Sequence, residues 1–213
     1  MAGPSSPPPR ARIPKLDELD LVLVTGRLRL RPLEETDVDA LWPFVSDPEL
    51  PRMMTWAAHT DRSQTLSFVQ WSRDALASGS AVTWGIEVDG RLGGLVSLIH
   101  IQFAKAALRV DDAELGYWIG PALRGAGYTT EAARAAVQCG FEAIGLHKIR
   151  VHCVEDNAAS RRVIEKLGFR LVGREEDDVW RDGRWWNMLS YELTSSEWSD
   201  VSTTLRVSRP RQP

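Results

Sequence analysis

The chain has 213 residues, 43% hydrophobic and 26% charged, with a formal net charge of −3, which suits one compact domain of ordinary size and excludes disorder throughout. Two cysteines, Cys139 and Cys153, and four scattered histidines supply neither a disulfide scaffold nor the spacing of a metal site, so no metal is expected. No apolar run approaches the ~20 residues of a membrane helix, and the proline- and serine-rich beginning lacks a secretory core, so no membrane partner and a cytoplasmic location are expected.

The ends differ from the middle. Pro4, Pro7, Pro8, Pro9 and Pro14 resist helix and sheet alike, so residues 1–18 read as a flexible basic arm, with a second basic tail at 199–213 and a folded body over 19–198. Residues 1–16 carry +3 and residues 199–213 carry +2, which leaves −8 for the span between them. An acidic body suits a cationic amine better than nucleic acid, so no direct nucleic-acid binding is expected. Within the body, residues 27–31 alternate with period two, as a half-buried strand does, until Pro32 stops them. Val38, Leu41, Trp42 and Val45 recur at helical spacing, with Thr36 as the cap. A second helix is predicted over 63–76, opened by the Asp61–Ser63 cluster and closed by Gly79. Val82, Trp84, Ile86 and Val88 alternate again; Asp89-Gly90 signals a two-residue hairpin into a strand over 95–101. Strands follow at 114–119 and 149–154, and helices at 130–144 and 158–167. Two last strands flank a turn at Asp182-Gly183. This order predicts a mixed α/β sheet and not the strict alternation of a dinucleotide fold.

The segment Tyr117-Trp118-Ile119-Gly120-Pro121-Ala122-Leu123-Arg124-Gly125-Ala126-Gly127-Tyr128-Thr129 runs from a strand through a glycine-bearing loop into a helix. Gly125 and Gly127 let successive amides converge on one concavity, the helix start adds unpaired donors, and Arg124 adds charge. Such a loop receives a phosphate or pyrophosphate, although a plain strand-to-helix turn uses glycines in the same way. It has neither the lysine of a nucleoside-triphosphate loop nor the glycine spacing of a dinucleotide fingerprint. A second segment, Asn157-Ala158-Ala159-Ser160 leading to Leu167-Gly168-Phe169, opens and closes a helix.

Together these segments resemble the GNAT N-acetyltransferases, and among them the Rim-type branch, which acetylates protein N-termini including those of ribosomal proteins. The family's acyl-CoA loop, Arg/Gln-x-x-Gly-x-Gly/Ala, is matched by Arg124 and Gly127, with Thr129 in place of the usual small residue. The Asn-x-x-Ser motif is matched by Asn157 and Ser160, and Glu114-x-Gly116-Tyr117-Trp118-Ile119 is similar to the central strand.

The resemblance implies a twisted mixed sheet of about seven strands with helices on both faces. Two parallel strands in it splay apart to admit the pantetheine of acetyl-CoA. It implies amides of Trp118 or Ile119 at the thioester carbonyl, and phosphate contacts from Arg124, Gly125, Ala126, Gly127, Tyr128 and Thr129, with Arg161 and Arg162 either reaching the adenosine phosphates or solvated on their helix. Asn157 holds the pantetheine or fixes its own loop; the Thr129 hydroxyl caps the helix or touches phosphate. Ser160 serves the departing thiolate, and Glu114 is the first candidate base, ahead of Glu155. Some Rim-type enzymes place a working glutamate before the last hairpin, where this chain reads Glu175-Glu176-Asp177-Asp178-Val179. His147 and His152 read as structural. Trp42 and Trp84 fit the core, and Trp56, Trp180, Trp185 and Trp186 fall beside the family's acceptor cleft. The partners implied are acetyl-CoA and an amine: a protein N-terminus first, otherwise an antibiotic, polyamine or amino-acid derivative. A non-catalytic acyl-CoA-binding module is the remaining alternative, and a monomer and a homodimer are both compatible with the sequence.

Overall fold

The computed structural model describes residues 13–201, so most of both expected arms lies outside the described residues. Eight strands, β1 (Leu23–Val24), β2 (Leu28–Pro32), β3 (Val82–Val88), β4 (Arg91–Lys105), β5 (Leu108–Ile119), β6 (Lys148–Val154), β7 (Arg170–Arg181) and β8 (Arg184–Thr194), form one sheet. Their order is β1-β2-β3-β4-β5-β6-β8-β7, and every neighbouring pair is antiparallel except the parallel pair β5 and β6. The strand beyond the expected seven is β1, two residues held through Leu23↔Leu30, too short to leave a periodic trace. Packing also starts ahead of Leu19, because Leu16 is 1% exposed in the core.

Helices α1 (Val38–Val45) and α2 (Arg62–Ser78) cover one face; α3 (Tyr128–Cys139) and α4 (Ala158–Lys166) cover the other, and α5 (Ser195–Val201) follows β8. Leu33, Leu41, Val45, Leu50, Val69, Leu95 and Trp118 fill the first interface. On the second, Ala132, Ala133 and Ala136 are fully buried, and their small side chains let α3 lie close against Val96, Leu98 and Leu115.

Local chemistry explains the boundaries. Leu28 and Leu30 are buried while Arg29 and Arg31 turn outward to Glu87. Contrary to the expectation, Thr36 does not cap α1: it lies inside a 3-10 turn, Glu35–Asp37, where Asp37 accepts the Glu34 amide at 2.8 Å and pairs with Arg31 at 2.6 Å. The Asp61 carboxylate caps α2 through the Ser63 amide at 2.7 Å, and Gly79 ends it at φ 76°. Both Asp-Gly turns form, with Asp89, Gly90, Asp182 and Gly183 all at positive φ as a type I′ hairpin requires. Strands β4 and β5 run further than their alternation suggests, because positive φ at His100 and Asp111 breaks the period and Ala106-Ala107 turns without a glycine. Helix α3 begins at Tyr128 rather than 130, and a π turn, Gly140–Ile144, completes the expected length.

Candidate active site

Parallel pairing of β5 and β6 is confined to Asp112↔Lys148, Ala113↔Ile149 and Glu114↔Arg150. Beyond that point β5 continues to Ile119 and β6 to Val154 without pairing, so the sheet opens into a wedge. The Gly120 amide bonds the Gly93 carbonyl of β4 at 2.8 Å. Strand amides alternate between edges, so the Trp118 amide also faces β4 and the Ile119 amide faces the wedge. A Cβ on Gly94 would lie 2.6 Å from the Trp118 carbonyl oxygen, so that oxygen points toward β4 and the Ile119 amide of the same trans peptide points the other way, into the wedge. Of the two amides expected at the thioester, the geometry puts Ile119 at the open edge.

Beyond the wedge lies the glycine loop. Gly125 at φ 82° and Gly127 at φ 83° occupy the left-handed region, where a side chain is strained. Gly127 is the N-cap of α3 and brings no side-chain acceptor, so the first-turn amides stay available; Thr129 does not cap the helix. Arg124, Gly125, Ala126 and Gly127 are exposed, while Tyr128 and Thr129 are half-buried. A residue that sequence reasoning missed supports this loop. Arg27 donates from Nη1 to the Ala126 carbonyl at 2.9 Å and from Nε to Glu131 at 2.7 Å, and it stacks over Tyr128 at 4.6 Å. Burial pushes the Glu131 carboxyl up, but hydrogen bonds from Thr25 and Arg27 and the Arg27 charge outweigh it and hold the carboxyl below its usual range. A carboxylate in the first turn of an anion-binding helix would repel its ligand; Arg27 neutralises it. Nothing in the alternation of β2 distinguishes Arg27 from its neighbours.

On the face of α3 and α4, Asn157 caps α4 by accepting the Ser160 amide at 3.0 Å, which fixes the loop before it. Ser160 shares a 2.9 Å hydrogen bond with the phenol of Tyr117, which reaches across the wedge from β5. Burial raises the Tyr117 phenol despite that bond, so it stays protonated. The same cause pushes Cys153 up to about 11 and Cys139 up to about 12, so neither thiol is a nucleophile near neutral pH. Arg161 turns inward with its Nε buried, whereas Arg162 is exposed and donates to the Ala158 carbonyl of its own helix at 3.2 Å.

The other face carries Glu114, Gly116 and Trp118 from β5. Trp118 is buried against Phe44, with ring centroids 5.8 Å apart. Glu114 stands at the closed end of the wedge, 3.3 Å from His100 Nδ1. Between them Gly116 leaves a gap, since a Cβ there would meet nothing within 4 Å. Across the opening, Val154, Trp186 and Met188 form a small apolar cluster with Met53 and Val179 packed on it. Arg181 ties the β7–β8 hairpin to the loop after α1 by donating to the Met54 and Trp56 carbonyls. Trp42 and Trp84 pack in the core as expected, Trp84 fully buried; Trp186 and the half-buried Trp56 flank the cleft, while Trp180 and Trp185 are exposed and stacked edge-on at the hairpin tip. Glu155 makes a poor base: hydrogen bonds from Arg174, then from Asn187, push its carboxyl down to about 2. His147 lends its carbonyl to the Ser195 amide, a structural contact. Among the described residues no group of ligating side chains could hold a metal, and no helix is long and apolar enough to cross a membrane.

The sequence profile of the acetyltransferase (GNAT) domain matches residues 27–170. The uncharacterized N-acetyltransferase YnaD of Bacillus subtilis is 28% identical over 177 residues, covering 83% of this chain and 99% of YnaD. Among solved structures, the ribosomal L7/L12 α-N-protein acetyltransferase RimL in complex with coenzyme A superposes with a TM-score of 0.75 at 21% identity, over 82% of this chain and 98% of that one. Spermidine N-acetyltransferase from Vibrio cholerae, in complex with CoA and spermine, gives 0.73 at 20% identity, over 82% and 99%.

Proposed function

This chain belongs to the GNAT acetyltransferases, and from that premise we propose that it moves the acetyl group of acetyl-CoA directly onto the α-amine of a protein or peptide N-terminus. The loop from Arg124 to Thr129 and the start of α3 receive the pyrophosphate, and the wedge between β5 and β6 admits the pantetheine, whose amides pair with the free strand edge. The Ile119 amide then lies where the thioester carbonyl gains charge as the amine attacks. The C–N bond forms as the C–S bond breaks, and the thiolate takes a proton from the Ser160–Tyr117 hydroxyl pair. No enzyme nucleophile is needed, which agrees with two buried, un-ionised cysteines.

One observation carries the choice of acceptor. Most carboxylates bordering the wedge are already paired: Asp112 with Arg150, Glu114 with His100, Glu155 with Arg174 and Glu192 with Lys148 and Arg170, whereas Glu175 is bonded only to the neutral hydroxyl of Ser190. A polyamine brings several ammonium groups and needs several free carboxylates. A peptide brings one amine and an apolar first side chain, for which Trp186, Met188, Val179 and Met53 form a wall. An α-amine, with a pKa of about 8 against about 10.4 for lysine, also gives up its proton more readily near neutral pH. The test is acetyl transfer by the purified protein to N-terminal peptides, to spermidine and to aminoglycosides. Transfer to peptide α-amines is expected, and transfer confined to spermidine or an aminoglycoside would overturn the assignment. Gly116→Val should fill the cleft floor and abolish transfer while CoA still binds.

A further inference from the structure

Two residues beyond the last paired position of the wedge, Gly116 on β5 and His152 on β6 stand opposite one another with no pairing between them. Side chains alternate along a strand, so His152 shares a face with Arg150 and Val154, and with Glu114, Gly116 and Trp118 across the gap. It therefore borders the open space over Gly116, and it is exposed. Its Nδ1 lies 3.0 Å from Ser190 Oγ, and Ser190 Oγ lies 2.9 and 3.0 Å from the two oxygens of Glu175. Ser190 itself is buried, 8% exposed.

The donors and acceptors of this chain fix its direction. A carboxylate only accepts, so the one hydroxyl proton of Ser190 goes to Glu175. The Ser190 oxygen must then accept from His152, which puts the neutral ring's proton on Nδ1 and leaves the lone pair on Nε2. That nitrogen is not engaged in the chain of bonds. We propose that His152 Nε2 is the base that takes the proton of the incoming ammonium, and that Ser190 and Glu175 are positioning residues that set its tautomer and steady the imidazolium. This rests on the acetyl-transfer reading of the same site. The ammonium loses one proton to His152 and becomes a nucleophile. After attack the nitrogen loses a second proton through solvent, which replaces the one that the Ser160–Tyr117 pair gives the departing thiolate, and His152 returns its proton to solvent. The balance is one proton released per acetyl transferred, with base and acid on opposite faces of the sheet.

The charged groups around His152 are consistent with this role. Arg150 on its own strand is held by Asp112, Glu192 on β8 by Lys148 and Arg170, and Glu114 on β5 by His100. Glu175 on β7 makes no ion pair among the described residues, so its charge acts on the ring through Ser190.

The test combines rates and spectra. His152→Gln should lower kcat/KM for a peptide amine about 10²-fold near neutral pH, with CoA affinity unchanged, and the gap should close as the amine itself deprotonates toward pH ~9. Glu175→Gln should shift the rising limb of the pH profile to lower pH, because a neutral amide no longer steadies the imidazolium. Nitrogen-15 spectra of the wild-type protein should show the Nδ1–H tautomer at His152, and Ser190→Ala should remove that preference. An Nε2–H tautomer, or a His152→Gln rate equal to wild type across the whole range, would overturn the assignment. Wild-type protein that acetylates no amine would instead count against the enzymatic reading, while the tautomer measurement would still judge the network by itself.

Discussion

Replacing Arg27 by methionine keeps the apolar stem over Tyr128 and removes the charge that neutralises Glu131 at the mouth of the loop proposed to hold the pyrophosphate. Three effects follow from the contacts. The Ala126 carbonyl loses its 2.9 Å donor, so the loop loses a brace. Glu131 loses the partner 2.6 Å away and keeps the Thr25 hydroxyl, also at 2.6 Å. The uncompensated carboxylate is then left beside the loop proposed to hold the pyrophosphate. For an assumed separation of ~8 Å and an effective dielectric of ~40, each phosphate charge would be repelled by about 1 kcal/mol. Two such charges make about 2 kcal/mol, or roughly a 30-fold weaker Kd for CoA. Folding stability should fall by only about 1 kcal/mol, because the side chain is 49% exposed and exposed pairs contribute little. The assay is calorimetric titration of CoA at low salt and again at raised salt, where screening should shrink the effect. The double variant Arg27→Met, Glu131→Gln should recover most of the affinity, since it removes the charge that Arg27 offsets. An unchanged Kd in the single variant, or a double variant as weak as the single, would refute the account of Arg27 as a neutraliser.

Further expectations concern other parts of the site and fold. A valine at Gly127, at φ 83° and 3.5 Å from Arg27 for an added Cβ, should weaken CoA binding and leave the core intact, as calorimetry and thermal melting would show together. Ser160→Ala and Tyr117→Phe should each lower kcat by about tenfold or more, and the double variant by much less than the product, because the two hydroxyls act as one unit; fully multiplicative losses would separate them. Burial pushes the Asp37 carboxyl up, but hydrogen bonds from Arg31 and the Glu34 amide and the Arg31 charge bring it below its usual range. Its contribution to stability is therefore complete above the unfolded carboxylate value of about 3.9 and is lost as pH falls through the lower folded value. Asp37→Asn should flatten that acid limb in chemical denaturation and cost about 2 kcal/mol near neutral pH, since it removes charged hydrogen bonds from a mostly buried arginine that keeps only Glu87 as its ion-pair partner.

Much of the fold was legible because its signals are local. The alternation around Leu28 and Leu30, the two Asp-Gly turns and the helix ending at Gly79 depend on residues a few positions apart, and all formed. What was missed is non-local or unpatterned: β1 exists only because β2 is there to pair with it, and the extension of β4 and β5 passes through bulges that erase period two. Thr36 does not cap α1 because a 3-10 turn capped by Glu34 and Asp37 precedes the helix, and Arg31, on the preceding strand, holds that aspartate in place.

The candidate site divides along the same line. The left-handed turns at Gly125 and Gly127 and the Asn157 cap on the Ser160 amide can be read from the sequence, since each depends on its own backbone or its immediate neighbours. Three determinations belong to the tertiary structure. It is the edge on which an amide falls that distinguishes Ile119 from Trp118. Tyr117 meets Ser160, and Arg27 meets Glu131, across 43 and 104 positions of chain, distances at which no periodicity operates. And His152, Ser190 and Glu175 form a proton path only because three strands lie side by side, since hydrogen bonds depend on distance and angle in space, while the sequence records only order along the chain.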